Sequence, residues 1–200
     1  MKKSLLSSLA LTTLAALLST SAAQAHTGAG STNGFAHGFA HPIGGWDHLL
    51  AMIAVGLWAS QLAQSNKRAL WMVPLSFVGV MIFGGVLGAN GVAIPFVETG
   101  ILMSVLVLGV LVAAAVRMPL AASVAIVGAF AIFHGHAHGA EMPQLASALS
   151  YGAGFALATA LLHGVGLALG VLSQKKISIP TTRFAGAAIA LASAVLFLQK

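Results

Sequence analysis

The stretch 69–89 reads ALWMVPLSFVGVMIFGGVLGA and contains no charged residue. About 20 mostly apolar residues are enough for a helix to cross the hydrocarbon core of a bilayer. Lys67-Arg68 closes this stretch on one side and Asn90-Gly91 on the other. Five further stretches of the same kind lie around it, at 42–63, 91–116, 118–139, 145–172 and 177–198. The last is the weakest, because Arg183 leaves only 184–198 free of charge. The expected fold is therefore all-α, a polytopic bundle of six transmembrane helices in one membrane domain over 26–200. Pro74, Pro95 and many glycines fall within these spans. Membrane helices tolerate them where neighbours satisfy the freed backbone groups.

Composition excludes the soluble alternatives. Hydrophobic residues make up 58% of the 200 and charged residues 6%, whereas a soluble domain carries about 25% charged residues. A cytoplasmic enzyme, a nucleic-acid binder and a disordered chain are all ruled out. The formal charge of +6 reports orientation in a membrane protein rather than an acidic partner. Without cysteine there is no disulfide, thiolate metal site or thiol catalysis.

Residues 1–25 read as a secretory signal peptide. Lys2 and Lys3 are followed by the apolar run 5–18 and by Ala23-Gln24-Ala25, an A-x-A cleavage pattern. An uncleaved anchor is the alternative, and both readings place His26 outside. An outer N-terminus then puts Lys67-Arg68, Arg117, Lys175-Lys176 and Arg183 on the cytoplasmic side, with Lys200 outside. That bias agrees with the positive-inside rule. In 145–172, Gly152, Ala156, Ala160, Gly164 and Ala168 recur every four residues, a small-residue stripe expected to admit a neighbouring helix.

The chemistry gathers in two clusters on the outer side. The first is His41-Pro42-Ile43-Gly44-Gly45-Trp46-Asp47-His48. Pro42 suits the first turn of a helix, and His41 and His48 share a face if the segment is helical. Asp47 lies about 100° from His48 and can border the same cavity. The second is Phe133-His134-Gly135-His136-Ala137-His138-Gly139-Ala140-Glu141. His134, His138 and Glu141 fall on one helical face. His136 points elsewhere unless Gly135 and Gly139 open the helix. Glu98 lies in the outer part of the third span and His163 near the middle of the fifth, as candidate pathway groups. His26 and His37 belong to the outer segment, as candidates for metal capture. Ionisable groups inside a membrane are costly and mark function by default. Imidazole with carboxylate suits nickel, cobalt or zinc, and the lack of a methionine or cysteine cluster disfavours Cu(I).

The pair His41-Pro-x-x-Gly-x-Asp-His48 and Phe133-His-Gly-x-Ala-His-Gly-x-Glu141 resembles the two signature motifs of the HupE/UreJ family of nickel/cobalt permeases. The resemblance implies a secondary transporter, not an enzyme, in the bacterial inner membrane. It implies uptake of Ni²⁺ or Co²⁺ as cargo, with no prosthetic group and no nucleic-acid partner, serving hydrogenase, urease or cobalamin synthesis. The motif residues carry over to His41, Asp47, His48, His134, His138 and Glu141. His136 fills a variable position and is counted among the candidate metal ligands, with its role open. Two rival readings are an intramembrane zinc-dependent hydrolase and an accessory protein that binds nickel without transporting it. Against the hydrolase, the sequence holds no His-Glu-x-x-His and no spacing that suggests a Ser/His/Asp triad. It also holds no nucleotide-binding P-loop.

The orientation is open to direct measurement. In intact cells, Lys67→Cys and Lys175→Cys should resist an impermeant thiol reagent, whereas His26→Cys and Lys200→Cys should react. Labelling at position 67 from outside would reverse the topology.

Overall fold

The computed structural model describes residues 34–143, 146–176 and 180–199. The signal-peptide segment and His26 lie outside the described residues. Among those described, the chain is all-helical: α1 Gly34–Gly44, α2 Trp46–Leu62, α3 Ala69–Ala89, α4 Val97–Ala114, α5 Leu120–Ala140, α6 Ala148–Lys176 and α7 Pro180–Leu198. The last five are long and apolar enough to cross a membrane. Their outward faces carry Trp71, Leu75, Phe83, Leu161 and Leu191, while Gln61, Ser104, Ser123, Thr159 and His163 are buried. Apolar groups face out and polar groups face in, the reverse of a soluble domain. This is a multi-pass membrane protein.

The first expected span differs from what is observed. Stretch 42–63 is not one helix, because the chain breaks at Gly45, which is extended at φ −103° and ψ 122°. Pro42 lies inside α1 rather than in a first turn. It has no N–H to donate and crowds the carbonyl four residues back, and two glycines follow it before α2 begins. α2 has 17 residues and is not among the five long apolar helices. It packs against all six others, and twelve of its residues are buried. Two of its polar side chains find partners in the bundle. Trp58 Nε1 donates to the Val116 carbonyl at 3.0 Å, and Gln61 Nε2 to that of Val112 at 3.0 Å. Pro95, expected inside a span, instead precedes α4, whereas Pro74 is inside α3.

Glycine seams bring several helix pairs backbone to backbone, and α3–α5 and α2–α6 are two that run parallel. On α5, a methyl group at Gly135 would lie inside the backbone of Met81, and one at Gly139 inside that of Gly85. Gly84 and Gly88 of α3 reciprocate against Ile132 and His136. These glycines therefore do not open α5; they let α3 lie directly on it. Between α2 and α6, Gly56 meets the backbone of His163, and Gly166 that of Ile53. The expected stripe on α6 is a correction. A methyl group at Gly152 or Gly164 would meet nothing within 4 Å, and Ala160 and Ala168 are exposed; of the stripe, Ala156 packs against the core. The packed glycines are Gly154, Gly166 and Gly170, which lie off that stripe on the same helix.

These contacts place the start of α2, the end of α5 and the start of α6 at one end of the bundle. The ends of α2, α4 and α6 and the start of α7 lie at the other. There Arg117 bonds Gln64 at 3.1 Å and Arg183 bonds the Ala113 carbonyl at 2.8 Å.

Overpacking a tight core costs about 1–3 kcal/mol. Gly135→Val and Gly139→Val should each lower the unfolding midpoint in detergent, while Gly152→Val should leave it nearly unchanged. Equal midpoints for all three would mean that the α3–α5 seam is not tight.

Candidate metal centre

Two helix ends and one helix start build the site. Asp47 occupies the first turn of α2, where an acid is favoured by the helix dipole. Its Oδ1 accepts from the His48 backbone N–H at 2.8 Å and from His48 Nδ1 at 2.6 Å. A side chain at Gly45 would press on Asp47 Oδ1 and His48 Nδ1, so a glycine there leaves room for this pair. His134 and His138 stand one turn apart on α5, both buried, and Glu141 follows as its C-cap.

The two clusters meet. The His48 ring lies 4.8 Å from that of His134 and 4.4 Å from that of His138, and His41 lies 4.5 Å from His138. The break at Gly45 puts His41 and His48 on different helices rather than on one helical face, yet both reach His138. His41 Nε2 stands 3.1 Å from Glu141 Oε2. Chiefly because of that bond, the Glu141 carboxyl titrates below the usual carboxylate range, against the opposing effect of its partial burial. Donor atoms of His41, His138 and Glu141 all lie within 4.8 Å of one another. Ligands at roughly 2.1 Å from one ion are at most about 4.2 Å apart, so a small inward movement would let this trio hold a cation. The trio grades from exposed Glu141 to buried His138. Beneath it, His48 Nε2, His134 Nδ1 and both nitrogens of His138 are buried without a hydrogen-bond partner.

The other candidates lie elsewhere. His136, read as a possible ligand, turns away from the cluster and donates from Nε2 to the Val92 carbonyl at 2.6 Å. Glu98 is exposed in the first turn of α4. His37 is exposed on α1. His163 is buried on α6, its ring 5.1 Å from Phe77, and Phe77 also touches His134 at 5.5 Å. Three neighbours were not singled out in the sequence. Phe155 packs 3.9 Å from His138, Phe77 contacts two histidines, and Ser104 bonds His134 Nε2 at 2.8 Å. Of these, only Ser104 left a trace, as a lone hydroxyl in the apolar run 100–116.

Comparison with known proteins agrees with the motifs. The family model described as HupE / UreJ protein matches residues 14–196. Protein HupE of Rhizobium leguminosarum bv. viciae is 48% identical over 187 residues, covering 94% of this chain and 96% of that relative. No solved structure matches.

The geometry separates residues that adjacency in sequence does not. His138→Ala should weaken Co²⁺ binding to the purified chain by at least about tenfold, whereas His136→Ala should change it less than about threefold. Equilibrium dialysis reads both, and an equal loss in the two variants would bring His136 into the site.

Proposed function

The chain belongs to the HupE/UreJ family, and from that premise we propose that it is a permease taking up divalent nickel or cobalt. The observation that carries this reading is the meeting of His41, His138 and Glu141 beside buried His48 and His134, at the end of the bundle opposite Arg117 and Arg183. Neutral imidazoles supply borderline nitrogen donors. Asp47 and Glu141 offset a charge that would otherwise be very costly away from water.

In this reading the cluster faces outward and the basic end faces the cytoplasm. The chain lies in the inner membrane, with residues 1–25 removed as a signal peptide. α2 is the first of six passes. At 17 residues and a rise of about 1.5 Å each it is short for a bilayer, but it is sheathed by other helices and needs no lipid-matched length. A partly hydrated cation exchanges water for the half-exposed trio, then passes to His48 and His134 and inward past His163. The membrane potential supplies roughly 4.6 kcal/mol per 100 mV for two charges. The metal serves hydrogenase, urease or cobalamin synthesis.

Proteoliposomes containing only this chain should accumulate radioactive nickel or cobalt. His48→Ala and His134→Ala should abolish uptake, and Asp47→Asn should resemble them, because it keeps shape but loses charge. His26→Ala should weaken uptake only at low metal concentration. Near-normal uptake by both His48→Ala and His134→Ala would remove the cluster from the mechanism.

Acid should also slow uptake. A ligating imidazole must be neutral, with a reference pKa of about 6.5. The metal itself favours the deprotonated ring and shifts the loss to lower pH. Glu141 is held below the usual carboxylate range, so it stays charged while the imidazoles titrate. Initial rates that stay constant from about pH 7.5 to about pH 5, at fixed potential, would count against histidine ligation.

A further inference from the structure

We propose that Ser104 is a positioning residue of the metal centre, holding His134 in the tautomer that leaves Nδ1 as its donor atom. The proposal rests on the metal-binding reading above and deepens it. Ser104 lies on α4, which carries no residue of either histidine motif, and it is fully buried. Its Oγ stands 2.6 Å from the Ile101 carbonyl oxygen and 2.8 Å from His134 Nε2.

A hydroxyl has one proton to place. The Ile101 carbonyl can only accept, so the proton of Ser104 points at it. The other choice would set two oxygen lone pairs against each other at 2.6 Å in a low-dielectric interior. With its proton committed, Ser104 Oγ accepts from His134, and Nε2 is the protonated nitrogen. A neutral ring then carries its lone pair on Nδ1. That atom is buried and has no hydrogen-bond partner, and the ring meets His48 at 4.8 Å.

His48 shows the same logic with the nitrogens exchanged. Asp47 accepts from Nδ1 at 2.6 Å, so the lone pair is on Nε2, which is also buried and unpartnered. In each ring one nitrogen is held by an acceptor and the other is left free to donate. Metal-ligating histidines are oriented in this way by outer acceptors, whose loss typically costs 10–100-fold in affinity. The back-bond to Ile101 is what lets a hydroxyl do the work of a carbonyl.

The test uses the purified full-length chain, with Co²⁺ as probe. Titration reads affinity, and the visible d–d absorption at saturation reads the ligand set. Ser104→Ala should bind Co²⁺ about 10–100-fold more weakly and give an altered spectrum, because the ring is free to turn. Ser104→Thr keeps the hydroxyl and should restore both. Ser104→Val has the shape of threonine without the hydroxyl and should behave like Ser104→Ala, which separates hydrogen bonding from packing. Wild-type affinity and spectrum in Ser104→Ala and Ser104→Val, with binding lost in His134→Ala, would overturn the positioning role and leave the metal-site reading standing. Wild-type binding by His134→Ala would also overturn the positioning role and confine the bound site to His41, His138 and Glu141.

Discussion

An imidazole nitrogen held away from water without a partner costs free energy, and His48, His134 and His138 together place four such atoms at one end of this bundle. A fold whose only task was to stay folded would gain by replacing them with apolar groups. Here the surrounding structure maintains the arrangement instead. Asp47 and Ser104 each hold one nitrogen of a ring, and Phe77 and Phe155 pack against the rings. Under the proposed function, a cation able to accept several lone pairs at once would offset such a cost.

Holding the rings together requires that α5 cannot shift. Its His134 and His138 face the cluster, while Gly135 and Gly139 press α3 backbone to backbone. Helices in lipid gain little from apolar association alone, so close approach through glycine is the main means of locking them. The motif glycines are thus explained by packing. Gly45 serves differently, ending one helix and leaving room for the Asp47–His48 pair. At the opposite end of the bundle, Trp58, Gln61, Arg117 and Arg183 each donate to an acceptor on another part of the chain. The acids of the cluster and these arginines therefore sit at opposite ends.

Much of this was legible in the sequence because it depends on local stereochemistry. Hydropathy marked the five long spans, with boundaries off by up to about six residues at the start of α4, since membrane thickness imposes helix length. The helical period placed His134, His138 and Glu141 on one face and His136 off it, yet the motif kept His136 among the candidate ligands. The two motifs and the acid–imidazole chemistry could be read residue by residue, and so could the charge bias between loops. The tertiary structure alone decided the rest. The break at Gly45, the sheathing of α2 and the exposure of Ala160, Gly164 and Ala168 depend on which helix lies beside which. The meeting of His48 with His138, and the bond from Ser104 to His134, join atoms far apart along the chain. Spacing constrains side chains only within a turn or two of their own helix. Which nitrogen of a ring is free depends on a neighbour that another helix supplies.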